Sequence, residues 1–303
     1  MNKRIKKRLD NIRSGLFQPF FRKMAGWNEI EEQIDTLHYF LNNTVDITTL
    51  PKATGLLRKV QLVDTEVLRI VLQILKKNGI DCWLDYGTLL GAVRHKGFIP
   101  WDDDLDVAIK RSDFDKVIAI LDNELPSCFE HGVTNLGHIW ISIWKAGAIL
   151  DICPVDSLSA NTVNINKDND EIINRMIKYR KFYNSHIRLN DDRLTLKRNE
   201  IVGCSNENNP LWYSNIEFNA DYLLFDNATI FPLKEIEFEN YIFLCPNNSD
   251  CYLKVQYGED YFNLPKSGVL HHSGVDNRLY LNPQKYGTDM DKLLLELKEI
   301  QPI

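Results

Sequence analysis

The sequence predicts an α+β fold: a mixed β-sheet core flanked by helices, with helices in front of it and an α/β extension behind it. Three observations carry this reading. Residues 80–156 alternate short β-rich runs with short helical ones, a long amphipathic segment precedes them at roughly 55–77, and patterned sequence resumes at 230–272 after a polar stretch. The chain therefore divides into N-terminal amphipathic helices (1–54), a core (55–156) and an accessory C-terminal region (157–303).

Each element has its own signal. In residues 1–18, Ile5, Leu9, Ile12 and Leu16 make an apolar stripe at helical spacing, surrounded by Lys3, Arg4, Lys6, Lys7, Arg8 and Arg13. Pro19 should end that helix. A second helix is expected from Asn28, where Asn28 and Glu31 fit a capping box and Ile30, Ile34, Leu37 and Leu41 supply the stripe. The 55–77 helix buries Leu57, Val60, Val63, Val67, Val71, Ile74 and Leu75, and Asn78-Gly79 stops it. Cys82 to Tyr86 reads as a strand, Thr88 to Val93 as a helical turn, 104–110 as a strand and Ser112 to Leu121 as a helix. Ile139 to Trp144 and Ala148 to Ile152 are β-rich and could pair through Ala146-Gly147. Residues 160–220 give no clear pattern. Glu235 to Leu244 is β-like, and a short helix should end at Tyr257-Gly258.

Composition narrows the function. Apolar residues (44%) and charged residues (26%) are near globular averages, and no apolar run approaches the ~18 residues of a membrane span. The start lacks an apolar signal region, so a cytoplasmic chain is expected, and its six scattered cysteines, none in a CxxC pair, should be reduced thiols. Residues 1–26 carry a net charge of +7 and the remainder −13. An acidic body argues against nucleic acid as a partner. The basic start suits either an arm on an anionic membrane surface, through residues 1–24, or a helix docked on its own domain.

The chemistry concentrates between Tyr86 and Val107. Asp102, Asp103, Asp104 and Asp106 place four carboxylates within five residues, where they repel unless a cation neutralises them. Asp104 and Asp106 are two apart on a strand and leave the same face, which suits Mg²⁺ or Mn²⁺. Such a site completes its shell with water and substrate phosphate, which points to phosphate transfer. Gly87-Thr88, where a strand gives way to a helix, suits phosphate binding through backbone N–H groups and a hydroxyl. Asp151, inside an apolar strand, is the candidate third carboxylate, able to complete the metal site and activate an attacking hydroxyl; the alternative is an edge-strand residue or turn cap. Arg94, His95 and Lys96 offer contacts to phosphate, or counter-charges to the aspartates. Asp102 and Asp103 could orient metal-bound water or cap the turn after Trp101. His271 could reach the donor or acceptor, or could be a loop histidine in solvent.

The run WLDYGTLLGAVRHKGFIPWDDDLDVAI resembles the LicD family of bacterial phosphocholine transferases and related fukutin-type sugar-phosphate transferases. Leu57 to Leu62, Phe231 to Phe238, Tyr257 to Tyr261 and Leu264-Pro265 fit the same pattern. The resemblance implies a nucleotidyltransferase-type core at 55–156, with Gly87-Thr88 as its turn, Asp104 and Asp106 as its metal pair and Asp151 as its third acid. It also implies a CDP-activated alcohol as donor, phosphocholine being the group transferred, and a hydroxyl of a cell-surface glycan or its lipid-linked precursor as acceptor. Work at the inner membrane face would give the basic arm a purpose. CDP-glycerol or CDP-ribitol is the nearest variant donor. The remaining alternatives are a nucleotidyltransferase using an NTP and a non-catalytic module of glycan assembly.

Overall fold

The computed structural model describes residues 27–134, 137–143, 146, 148–158, 174, 177–183, 196–197, 200, 211–214, 223–264, 283 and 285–301. The basic stripe at 1–18, most of 160–220 and His271 lie outside them. The chain forms two compact units, Met1–Thr49 with Phe262–Gly268, and Leu50–Tyr261 with Val269–Ile303. In the first, helix α1 (Trp27–Thr44) starts one residue before the expected cap Asn28. His38 Nε2 lies 2.7 Å from the Leu264 carbonyl, and Asn42 Oδ1 accepts the Leu264 N–H.

The second unit is built on a seven-stranded mixed sheet. Its strands are β1 (Cys82–Leu84), β2 (Leu105–Lys110), β3 (Glu130–Val133), β4 (Ile139–Ile143), β5 (Ala148–Leu158), β6 (Leu211–Ser214) and β7 (Leu223–Asp226). They run in the order β1–β2–β5–β4–β3, with β6 on β5 and β7 on β6. Among the described residues, only β2 and β5 pair in parallel. The expected hairpin through Ala146 forms, with Ile139 opposite Ile152 and Ile143 opposite Ala148. Strand β5 outruns its expected end at Ile152: β4 pairs with residues 148–152, and β6 replaces it at 155–158.

Helix α2 (Gly55–Lys77) has the bounds the sequence predicts, because its apolar positions recur over six turns and Gly79, at φ +70°, lets the chain reverse. Its face of Val60, Val63, Val67, Leu68, Ile70, Val71, Ile74 and Leu75 is buried, together with Trp83, Leu84, Val107, Ile109, Leu150 and Ile152 from the sheet. Helix α3 (Tyr86–His95) begins earlier than expected, since Asp85 caps it by accepting the Tyr86 N–H. Helix α4 (Phe114–Glu124) follows a 3₁₀ turn over Arg111–Asp113, so it starts two residues later than expected, and it has no side-chain cap. After β7 come α5 (Asn227–Ile230), the hairpin β8 (Lys234–Phe238) and β9 (Tyr241–Cys245), α6 (Ser249–Tyr257) and α7 (Met290–Glu299). Glu239 and Asn240, both at positive φ, make the hairpin turn. Arg69 of α2, paired with Glu66, donates to the carbonyls of Leu297 and Ile300 and so fastens the end of α7. No helix among the described residues is long and apolar enough to cross a membrane.

The loop between α3 and β2 folds back against α3, and glycine permits it. A Cβ at Gly91 would run into the Gly97 carbonyl oxygen, and one at Gly87 would stand 2.8 Å from Asp102 Oδ2. Gly91→Ala should therefore destabilise the protein by about 1–3 kcal/mol, read as a lower urea midpoint with an unchanged slope.

Candidate active site

The site forms where β1 hands over to α3 beside β2 and β5. The backbone of Asp106 is held from both sides: its N–H donates to Thr88 Oγ1 at 2.8 Å and its carbonyl accepts the Asp85 N–H at 3.0 Å. Parallel pairing places Asp106 opposite Asp151, and Trp140 of β4 lies opposite Asp151 on its other side. Paired residues share a face of a sheet, so Asp106 and Asp151 project together from the layer. Asp104 stands just ahead of β2, and its carboxylate gathers with those of Asp102 and Asp103, one oxygen of each lying within 4.8 Å of the others.

The electrostatics follow from this crowding. Burial, then Asp104, Asp151, Asp85 and Asp102, push the Asp106 carboxyl well above the ordinary 3.8. Burial, then Asp104 and Asp103, do the same to Asp102. The Cys153 thiol, one register step from Asp151 on the same face, is raised by burial and by Asp106, Asp85 and Asp151.

The chain supplies a sixth carboxylate here that the sequence reading took only as part of a strand. Asp85 is fully buried, and its Oδ1 accepts from the Tyr86 N–H, the Tyr252 hydroxyl and Gln256 Nε2 at 2.8, 3.1 and 2.6 Å. Its Oδ2 is buried with no hydrogen-bond partner. Burial raises its pKa, against those three donors. Helix α6 delivers these groups: Phe225 of β7 stacks on Tyr252 at 4.2 Å, which sets the helix against the site. Tyr257, at the end of α6, is pushed up by burial and by Asp106, Asp85 and Asp102, with Arg94 opposing. Only the placement of α6 in space could have shown these residues to be neighbours.

The three basic candidates part company. Arg94 is buried, donates to the Tyr261 carbonyl at 3.1 Å, leaves Nε unpartnered and interacts with Asp102 and Tyr257. His95 has two ring nitrogens without partners, and burial, then Arg94, lower its pKa to about 4, so it is neutral at pH 7. Lys96 is the left-handed cap of α3, faces solvent and reaches Glu237 at 3.7 Å. Thr88 is buried with its hydroxyl oxygen on the Asp106 N–H, while Gly87 lies against Asp102.

The donor set is all oxygen and dense in carboxylate, with one buried oxygen left over on Asp85. These residues fit a hard divalent cation. A mixed sheet carrying a Gly-Thr turn beside an Asp-Leu-Asp strand is the frame expected of a nucleotidyltransferase-type domain. Comparison with known proteins agrees: residues 79–185 match the LicD/FKTN/FKRP nucleotidyltransferase domain and are thus a LicD-family domain. Lipopolysaccharide cholinephosphotransferase LicD of Haemophilus influenzae is 42% identical over 64 residues, 21% of this chain and 24% of that protein. Ribitol 5-phosphate transferase FKRP of Homo sapiens is 46% identical over 48 residues, 16% of this chain and 10% of that protein. An uncharacterized protein of Rickettsia prowazekii is 58% identical over 41 residues, 14% of this chain and 15% of that protein. The matched stretches thus span a quarter or less of each relative's length.

A raised native pKa means the folded protein binds a proton more tightly than the unfolded one, so without a cation the ionised Asp106 costs stability at neutral pH. Asp106→Asn should raise the melting temperature in EDTA at pH 7 by a few degrees, at about 2–4 °C per kcal/mol. The stability gap to wild type should close as the pH falls toward the ordinary carboxylate value of 3.8. A variant that is destabilised at pH 7 would contradict the assignment.

Proposed function

We propose that the protein is a Mg²⁺- or Mn²⁺-dependent transferase that moves a phospho-alcohol, phosphocholine in the first instance, from a CDP-linked donor to a hydroxyl of a cell-surface glycan or its lipid-linked precursor. The observation that carries this is the register of β2 and β5, which sets Asp106 beside Asp151 next to the Gly87-Thr88 turn within a LicD-family domain. The cholinephosphotransferase among the relatives favours phosphocholine, and the ribitol 5-phosphate transferase favours CDP-ribitol as the second donor to test.

In this reading Asp104, Asp106 and Asp151 hold the cation, with Asp102 and Asp103 at its margin. A bound cation supplies positive charge to the donor's phosphate oxygens. The N-terminal turn of α3 and the Thr88 hydroxyl proton face the donor phosphate, and Arg94 balances charge beside Asp102. Asp151 takes the proton of the acceptor hydroxyl as its oxygen bonds to the phosphorus that bears the alcohol. The bond from that phosphorus to CMP breaks, and CMP leaves with the electron pair. His95, held neutral, offers hydrogen bonding and no charge.

Thermal unfolding with Mg²⁺ against CDP-choline, CDP-ethanolamine, CDP-glycerol, CDP-ribitol, CTP and ATP tests the donor. A ligand at about 100 times its Kd adds about 2.7 kcal/mol to the native state. A Mg²⁺-dependent shift with one CDP-alcohol is the expected outcome; a shift with NTPs alone would assign ordinary nucleotidyl transfer instead. The basic segment 1–24 is proposed to seat the enzyme on an anionic membrane surface. Deleting it should then remove binding to phosphatidylserine-containing liposomes without lowering activity on a soluble acceptor; unchanged liposome binding would refute the arm.

A further inference from the structure

Helix α2 carries two polar residues, Arg58 and Gln61, that the site described above does not use. Gln61 is 1% exposed. Its Nε2 donates to the Asp102 carbonyl at 2.9 Å and lies 3.5 Å from the Ile99 carbonyl. Its Oε1 accepts from Arg58 Nη1 at 3.2 Å, which leaves the amide only one useful orientation. The Arg58 guanidinium forks onto Glu239 at 2.9 and 2.7 Å. Glu239, in the β8–β9 turn, is 4% exposed and also takes Lys52 at 2.7 Å and the Phe98 N–H at 3.3 Å. Its own N–H donates to the Lys96 carbonyl. Side chains from α2 and the hairpin thus grip the loop before β2 at residues 98, 99 and 102, and the Glu239 backbone holds it at residue 96. From the other side, α3 presses on the same loop at Gly87 and Gly91.

A buried network of this kind adds little stability that apolar residues of equal volume would not supply. What it can supply is geometry. The loop it grips ends in three consecutive carboxylates, Asp102 to Asp104, with Asp106 just beyond in β2, and their repulsion would splay it open in the absence of a cation. We propose that Arg58, Gln61 and Glu239 are positioning residues that hold the 96–104 loop in its cation-receiving arrangement before any cation binds. Binding energy is then not spent on ordering the loop. The proposal rests on the cation reading of the preceding subsection.

The test uses the full chain, Gln61→Met (equal bulk, no amide) and Arg58→Lys (charge kept on Glu239, the fork onto Glu239 and the bond to Gln61 lost). Mn²⁺ affinity is measured by electron paramagnetic resonance, and hydrogen exchange of the 96–104 peptide in EDTA and in saturating Mn²⁺. Both variants should bind Mn²⁺ about tenfold or more weakly, the usual cost of disturbing groups behind a metal's ligands. In EDTA their loop should exchange faster than the wild-type loop, and saturating Mn²⁺ should restore its protection. A merely structural role would lower the melting temperature and leave Mn²⁺ affinity unmoved, and that result would overturn the proposal, as would unchanged loop exchange in EDTA. Should Gln61→Met fail to fold, Arg58→Lys decides. Wild-type protein that binds no Mn²⁺ would sink the cation reading and this proposal with it; wild-type binding with unaltered variants would sink this proposal alone.

Discussion

Mutual repulsion among carboxylates at one end of a small sheet is the constraint around which this fold is arranged. Asp104, Asp151, Asp85 and Asp102 all act on Asp106 there, Asp104 and Asp103 act on Asp102, and burial amplifies the effect on both. The surrounding structure reads as bracing. The backbone of Asp106 is tied on both sides by the β1–α3 junction, and Asp85 spends one oxygen on three donors. Arg94 and His95 are turned inward, while Lys96 faces solvent.

The sequence declared the parts of this arrangement that depend on local pattern. The bounds of α2, the strand of Asp106 and the hairpin through Ala146 all follow from periodicity and punctuation. Its silences have physical reasons. Strand β3 is polar and half-exposed, so no alternation marks it. Strand β5 continues through Pro154, which argues against a strand interior; a proline N–H is dispensable there only because of how the neighbouring strands change. Helix α7 has a modest apolar face and depends on Arg69 for its seat. Within the site, the acidic run and the Gly-Thr turn were legible because they are contiguous. Asp85 was hidden because its role depends on Tyr252 and Gln256, more than 160 residues away.

Thr88 illustrates how a correct motif can carry two duties. The expectation was a hydroxyl aimed at an anion. The oxygen instead accepts the Asp106 N–H, and the hydroxyl proton stays available. The Gly87-Thr88 turn is thereby hard-wired to the strand that carries Asp106, and a shift in one moves the other.

The change of partner along β5 has a topological consequence. Its first half, with Asp151, belongs to β2 and β4; its second half belongs to β2 and then to β6. The 52 residues between β5 and β6 leave and re-enter the sheet at adjacent strands. Closing a loop costs only about 0.6 kcal/mol more for each doubling of its length. A change of length between β5 and β6 therefore bears on the half of the strand that β6 holds, while the carboxylate-bearing half keeps the register that β2 and β4 impose.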